Sequence, residues 1–145
     1  MPAWVDSAFA EYAKRMPRHL PVELVEIRAE ARDRGKPAAA LCQAEAARIT
    51  QALPSGAMKI ALDEHGREFT TTAFSEWLDR MAGGGRDLAF LIGGADGLAP
   101  ALKLTADLTL RLSAFTLPHG LARVLLAEQL YRAASILQNH PYHRA

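Results

Sequence analysis

The sequence predicts one α/β domain in which a parallel sheet carries helices on both faces. Short β-branched or apolar segments alternate with segments of helical periodicity along the chain, and this alternation is typical of parallel sheets connected by helices. Residues 88–92 are apolar throughout, as a strand is when both faces of its sheet are covered. A length of 145 residues suits a single compact domain.

The first third of the chain predicts a helix, a strand and a second helix. Residues 2–16 place Trp4, Val5 and Phe9 at helical spacing, and prolines follow at positions 17 and 21. Residues 22–27 are a β-branched run that predicts a strand, and residues 28–36 form a charged loop. Pro37 opens a helix to about residue 53, where a Pro-Ser-Gly sequence ends it.

The rest of the chain predicts three strands and three helices in alternation. Residues 57–62 form a strand followed by a polar turn at 63–66, and residues 70–81 form a helix that buries Phe74 and Trp77. Three glycines at 83–85 separate this helix from the strand at 88–92. A short helix at 100–105, a strand at 108–112 and a long helix at 118–137 follow, and the last is apolar around most of its circumference, which predicts burial.

Composition excludes several classes of protein. Cys42 is the only cysteine, so neither an internal disulfide nor a multi-cysteine zinc site is possible. No segment approaches the roughly 20 apolar residues of a membrane span, and the N-terminus has no signal-peptide pattern, so we expect a cytoplasmic protein without a membrane partner. The net charge of +1 decides nothing about nucleic acid. Basic residues nevertheless cluster at positions 14–19, 28–36 and 140–144, as either solvated surface or RNA-binding patches would.

Ligands of open parallel sheets bind at the carboxyl ends of the strands, so the candidate loops are those that follow Leu62, Ile92 and Leu112. Gly93 and Gly94 open a glycine turn (residues 93–97) that lets a ligand approach the backbone, although a plain tight turn explains it equally well. The spacing matches neither a dinucleotide fingerprint nor a P-loop. Residues 113–118, here called loop 113–118, can offer peptide groups to an adenine edge; they are Ser113, Ala114, Phe115, Thr116, Leu117 and Pro118.

The last helix and the C-terminal tail (residues 139–144) carry the remaining candidates. The tail combines stacking, proton-transfer and phosphate-binding side chains; they are His140, Tyr142, His143 and Arg144. Glu128 and Arg132 are four residues apart, so a simple ion pair is one explanation for them. We find no catalytic triad, no paired-carboxylate site and no metal-ligand spacing, and therefore expect no metal.

Three segments together resemble a known family of RNA-modifying enzymes. They read LAFLIGGADG at 88–97, LSAFTLPHGLAR at 112–123 and LAEQLYRAASILQNHPYHR at 126–144. They are similar to the SPOUT-class methyltransferases that use S-adenosylmethionine to modify N3 of a pseudouridine in 23S ribosomal RNA. The likeness covers essentially the whole chain, and the YHR ending is its most specific part.

The resemblance implies a fold, a cofactor and partners. The family has a five-stranded parallel sheet whose C-terminal helix is threaded through a loop as a trefoil knot. S-adenosylmethionine would be held by Leu62, by Gly93 with Gly94, and by loop 113–118. The family acts on 23S RNA within the assembled 70S ribosome as a homodimer whose cleft involves both subunits. The tail side chains would position the base or help to remove the N3 proton, and Arg123 and Arg132 would hold phosphate.

Two other functions stay open at this point. A ribosome- or RNA-binding module that keeps the fold without catalysis would associate with ribosomes and transfer no methyl group. A different nucleotide-binding enzyme would prefer a phosphate-bearing cofactor, which the missing phosphate motifs disfavour.

The chain opens on a helix, whereas the resemblance implies a preceding strand inside the sheet. A strand lost from that place would leave ladder groups of its neighbours without partners. We therefore expect this chain either to unfold at a lower urea concentration than an N-terminally extended form that carries an apolar strand before Met1, or to have a rearranged sheet edge. Equal midpoints for the two forms would show that expectation to be wrong.

Overall fold

Parallel strands with helices on both faces form the domain, as the sequence predicts, but the described residues contain three strands rather than the four predicted or the five that the resemblance implies. The computed structural model describes residues 1–28, 35–94 and 97–144. Its elements are α1 Ala3–Ala13, α2 Ala38–Ala52, β1 Met58–Glu68, α3 Thr71–Ala82, β2 Leu88–Leu91, α4 Pro100–Thr105, β3 Leu108–Arg111 and α5 His119–Leu137. The strand order is β2-β1-β3, and both pairings of β1 are parallel.

The central strand β1 divides the hydrophobic core into two layers. Ile60 and Ala61 are both fully buried, and because successive strand residues point to opposite faces, they face different layers. Ile60 packs with side chains of α3 and α5. Ala61 packs with Leu91, Leu98 and Leu102, against which α2 residues also lie. The helices therefore cover both faces of the sheet.

The layer between the sheet and the two helices α3 and α5 is the larger core. Phe74, Trp77 and Phe90 contact one another with ring centroids 5.6 to 6.4 Å apart, and such pairs add about 0.5–1.5 kcal/mol each to area burial. Ser75 is buried here, and its hydroxyl donates to the carbonyl oxygen of Ala133 on α5 at 3.2 Å. This bond satisfies the hydroxyl and fixes α3 against α5.

The helix boundaries follow from local sequence signals. The Thr70 hydroxyl caps α3 by accepting from the Ala73 amide at 3.1 Å. Pro37 and Pro118 lie directly before α2 and α5, and α4 has the predicted bounds. All five predicted helices are confirmed, although α1 ends at Ala13 rather than at residue 16.

The strand predicted at residues 22–27 is wrong. Residues 21–28 have no regular secondary structure, and Leu24 and Val25 are exposed. A β-branched run becomes a strand only when a neighbour completes its hydrogen-bond ladder, and no described strand lies beside this one. The charged loop predicted at 28–36 falls mostly on residues 29–34, outside the described residues.

Two further expectations are corrected. The polar turn predicted at 63–66 is an irregularity inside β1, because Leu62 and Arg67 both pair with Leu110 of β3. Trp4 was expected in the apolar stripe of α1, but it is 55% exposed while Val5 is 1% exposed. Val5 takes the inward position because it packs where α1 meets Gly120 at the start of α5.

Gly66 allows β1 to rejoin β3 after this irregularity. A Cβ atom there would lie 2.7 Å from the backbone carbon of Thr109 and 2.8 Å from that of Leu110. We expect Gly66→Ala to lower the free energy of unfolding by about 1–3 kcal/mol, because backbone atoms cannot move aside as side chains do. Urea denaturation measures this effect.

Gly83→Ala is the matched control, since its Cβ would meet its nearest atom at an ordinary 3.5 Å and the backbone φ is −68°. A midpoint for Gly66→Ala equal to that of Gly83→Ala would contradict the close-contact explanation.

Candidate functional site

The three strands end at the same edge of the sheet, which brings the predicted cofactor residues to one side of the molecule. Ala61 pairs with Leu91 of β2, and Leu62 pairs with Leu110 of β3. Leu62 is therefore the last aligned position before the irregularity in β1, while the glycine turn begins two residues after Leu91 and loop 113–118 begins three residues after Leu110. This is the edge where parallel sheets bind their ligands.

The glycine turn is closed on itself. The Gly97 amide donates to the Gly94 carbonyl oxygen at 3.0 Å, and Gly97 has a φ of 75°. A Cβ on Gly93 would lie 2.4 Å from the carbonyl carbon of Gly97, so the turn itself requires glycine there. Gly94 faces α2, where a Cβ would lie 3.7 Å from the Glu45 carboxylate. Ala95 and Asp96 lie outside the described residues.

Loop 113–118 is held at its start and exposed at its middle. The Ser113 hydroxyl accepts from the Phe115 amide at 2.9 Å, and the Ser113 carbonyl accepts from the Arg111 side chain at 3.2 Å. The Phe115 side chain is 83% exposed. Among the described residues, the peptide N–H groups of Thr116 and Leu117 have no backbone acceptor. This segment can therefore present donors to a ligand.

A cavity of about 440 Å³ opens beside the start of this loop. Its lining combines an ion pair, an aromatic ring and the first loop residues; the lining residues are Glu68, Phe69, Thr70, Arg111, Leu112, Ser113 and Ala114. Within this lining, the Arg111 guanidinium lies 2.9 Å from the Glu68 carboxylate. Two of the predicted cofactor residues, Ser113 and Ala114, line this cavity, whereas Leu62 packs against the larger core.

A backbone turn folds the C-terminal tail back onto α5. Asn139 has a φ of 56°, its amide donates to the Ile136 carbonyl, and the His140 amide donates to the Ser135 carbonyl at 2.9 Å. These two bonds form the Schellman motif that ends many helices, with asparagine at the left-handed position. Pro141 follows it. The tail therefore runs alongside α5.

Folding back brings Tyr142 and His143 onto the side chains of Glu128 and Arg132. Tyr142 donates its hydroxyl proton to Glu128 Oε1 at 3.0 Å, and the Tyr142 and Tyr131 ring centroids are 4.6 Å apart. Arg132 Nη2 lies 2.6 Å from Glu128 Oε1, so the ion pair suggested by their spacing is present. Arg132 Nη1 lies 3.3 Å from His143 Nδ1. We call Glu128, Arg132, Tyr142 and His143 the tail cluster.

Electrostatics in the tail cluster favour protonated Tyr142 and protonated Arg132. Burial, and then the hydrogen bond to Glu128, raise the pKa of Tyr142 to about 12. The hydrogen bond from Arg132 to Glu128 raises the pKa of Arg132 from its ordinary value. Near neutral pH, Tyr142 is therefore a hydrogen-bond donor and not a base.

The other predicted side chains lie in different surroundings. Arg123 is only 14% exposed, with Glu26 Oε1 at 3.0 Å and Asp6 Oδ1 at 3.8 Å, so it ties α1 and residues 21–28 to α5. His140 and Arg144 are exposed. In the basic clusters, Lys14 and Arg15 both pair with Glu11, and Arg32 and Arg34 fall outside the described residues.

The described residues contain neither a group of metal-binding side chains nor a helix that could span a membrane. No three His, Cys, Asp or Glu side chains in residues 1–28, 35–94 and 97–144 are grouped to hold a metal ion. In the same part of the chain, no helix has the length and apolar character needed to cross a membrane.

Comparison with known proteins decides the family. Residues 1–143 match the sequence profile of the family described as "Predicted SPOUT methyltransferase". This chain belongs to the SPOUT methyltransferase family. It is 59% identical over 144 residues to the "Ribosomal RNA large subunit methyltransferase H" of Ralstonia pickettii, a match that covers 99% of this chain and 92% of the relative. The proteins of the same name from Burkholderia multivorans and Burkholderia vietnamiensis are 59% and 58% identical over 145 residues, which cover 100% of this chain and 93% of each relative.

Two parts of this candidate site were not predicted from the sequence. Glu128 was seen only as a partner of Arg132, although its carboxylate also binds Tyr142 fourteen residues away. No local spacing reports that contact, because it depends on the turn at Asn139. The asparagine before His140 and Pro141 was the available signal, since this order favours a left-handed helix end. The cavity lining of Glu68 and Phe69 was also missed, because the strand was expected to end at residue 62.

We expect the phenol of Tyr142 to titrate near pH 12, above the ordinary value of 10. Since folding raises this pKa, the Tyr142 contribution to stability is fully present below pH 10 and is lost as the pH rises towards 12. Tyrosinate absorbance, compared between the native chain and Tyr142→Phe, isolates the group. If the difference in tyrosinate absorbance between the two proteins had its midpoint at pH 10, the Tyr142 phenol would be neither buried nor hydrogen-bonded to Glu128.

Proposed function

We propose that this chain transfers a methyl group from S-adenosylmethionine to N3 of a pseudouridine in 23S ribosomal RNA within the assembled ribosome. The observation that carries the proposal is its identity of 58–59%, across 92–93% of their length, with proteins named for methylation of large-subunit ribosomal RNA. We infer a cytoplasmic location, because ribosomes assemble there, and a trefoil knot at α5.

The carboxyl edge of the sheet fits the cofactor. Loop 113–118 offers polar, uncharged hydrogen-bond donors at this edge. The peptide N–H groups of Thr116 and Leu117 can donate to the edge of an adenine ring. The neighbouring cavity of about 440 Å³ has the size of a small-molecule site, roughly 300–1,000 Å³. Leu62, Gly93 with Gly94, and loop 113–118 would hold S-adenosylmethionine, which supplies an electrophilic methyl group on sulfur.

The residues of the chain then have to align the base and exclude water. The N3 nitrogen must lose its proton before or during attack, and the new carbon–nitrogen bond forms as the carbon–sulfur bond breaks. Alignment of the reacting atoms accounts for much of the rate of such reactions. We propose that His140, His143 and Arg144 position the base or help to remove this proton, that Tyr142 positions the base as a hydrogen-bond donor, and that Arg123 and Arg132 contact phosphate.

We also propose a homodimer. Trp4 of α1 and Leu121 and Leu125 of α5 are exposed apolar side chains, and α1 packs against α5. Exposed apolar side chains on adjoining helices are typical of an interface. A second copy would cover them.

Transfer of labelled methyl from S-adenosylmethionine to unmodified bacterial 70S ribosomes, with the product nucleotide mapped, tests the proposal. We expect label on a pseudouridine of the 23S RNA. Ribosome association without label would instead identify a binding module. An N-terminally extended form is assayed in parallel. Label from the extended form alone would identify this chain as a weakened enzyme, whereas no label from either form would identify a non-enzyme.

Single alanine replacements at His140, Tyr142, His143 and Arg144 test the tail. We expect at least one replacement to lower the transfer rate by about 10²–10⁴-fold, the range of general acid–base help, with unchanged calorimetric affinity for S-adenosylmethionine. Glu76→Gln, on the exposed face of α3, is the control. Intact rates in all four variants would remove the tail from the reaction.

A further inference from the structure

The Glu128 carboxylate is the common acceptor of the tail cluster. Its Oε1 atom accepts from Arg132 Nε at 2.8 Å and from the Tyr142 hydroxyl at 3.0 Å. Its Oε2 atom accepts from the Gln129 amide at 2.9 Å, and the Gln129 carbonyl in turn accepts from the Thr71 hydroxyl at 2.9 Å. The Glu128 side chain is 14% exposed, so these bonds are partly shielded from water, which strengthens them.

Arg132 connects Glu128 to His143, because its guanidinium group contacts both side chains. A guanidinium group has donors and no acceptor, so the 3.3 Å contact between Arg132 Nη1 and His143 Nδ1 requires the histidine nitrogen to accept. In the neutral imidazole the single ring proton then lies on Nε2. The Arg132 guanidinium also lies over the Tyr142 ring, with 4.7 Å between its central carbon and the ring centroid. The contacts with His143 and with the Tyr142 ring thus fix the orientation of the Arg132 guanidinium.

We propose that Glu128 is a positioning residue that, through Arg132, sets His143 to donate its Nε2 proton to an acceptor oxygen of the substrate base rather than to remove a proton from it. This inference rests on the proposed function. Nδ1 is occupied by Arg132 and Nε2 carries the ring proton, so neither nitrogen of the neutral ring is available as a base. A ring carbonyl oxygen of the uracil moiety is the matching acceptor, since it stands next to the reacting N3.

Replacement of His143 by its two amide analogues separates a donor from a base. In His143→Gln the amide nitrogen can reach the place of Nε2 and still donate, whereas in His143→Asn the shorter amide reaches only the place of Nδ1. Neither amide accepts a proton near neutral pH. We expect His143→Gln to keep transfer within about tenfold of the native rate and His143→Asn to lose about 100-fold, as the roughly 1.5–3 kcal/mol of a hydrogen bond to a charged group implies when the base loses its N3 proton. Equal, large losses in both variants would overturn the donor assignment.

Glu128→Gln tests the positioning role with nearly unchanged shape. We expect kcat to fall about 10–100-fold, with an unchanged KM for S-adenosylmethionine, because the ion pair that directs Arg132 is lost. Glu76→Gln, a glutamate on the exposed face of α3, should leave both constants unchanged. A native kcat in Glu128→Gln would overturn the proposal.

Hydrogen exchange at Arg132 Nε–H, followed by nuclear magnetic resonance without substrate, gives a readout that does not need activity. We expect exchange to be about 10–100-fold faster in Glu128→Gln than in the native chain or in Glu76→Gln. If the native chain transferred no methyl group, the proposed function would fail while this measurement still tested the tail cluster. Equal exchange in Glu128→Gln and the native chain would show that Glu128 does not hold Arg132.

Discussion

The parallel pairing of β1 with β2 on one side and β3 on the other is the constraint on which the rest of the structure depends. Because Ile60 and Ala61 are both fully buried and face opposite layers, one strand organises both cores. The same pairing places Leu62, the glycine turn and loop 113–118 at one edge of the sheet. A shift of one residue in either register would reverse the faces of a strand and bury polar groups. Stability and the candidate cofactor site therefore depend on the same ladders.

The second organising element is α5, which links the two halves of the site. It starts directly after loop 113–118, packs against α1 and α3, and ends in the turn at Asn139 that returns the tail to its own surface. The helix can be nearly apolar around its circumference because it is covered on several sides, and Glu128 and Arg132 are tolerated there because each satisfies the other. Through this pair, the helix also fixes Tyr142 and His143.

Local sequence signals predicted what local forces determine. Thr70 at a cap, Pro118 before a helix and the apolar run of β2 each act within a few residues, so these boundaries could be read directly. The run at 22–27 has the composition of a strand, but strand formation requires a neighbour that no local pattern supplies. The candidate residues of the tail could likewise be identified from the sequence. The contact of Tyr142 with Glu128 could not, because it depends on a left-handed residue at position 139. The edge of the site was predictable from topology; the partners of its polar atoms were not.

The dimensions of α5 bear on how the proposed site would be completed. Arg132 lies thirteen residues beyond His119, which at 1.5 Å per residue is about 20 Å along the helix axis. The tail cluster is anchored at that level by Glu128 and Arg132, while loop 113–118 precedes the start of the helix. This axial separation exceeds the width of a single nucleobase, which makes it difficult for one base to meet the loop and the tail cluster of the same copy. A second copy whose tail approached the loop of the first would remove that difficulty, and the exposed Trp4, Leu121 and Leu125 provide apolar surface for such a contact. In the proposed homodimer, the group that orients the base and the groups that hold the cofactor would then come from different chains.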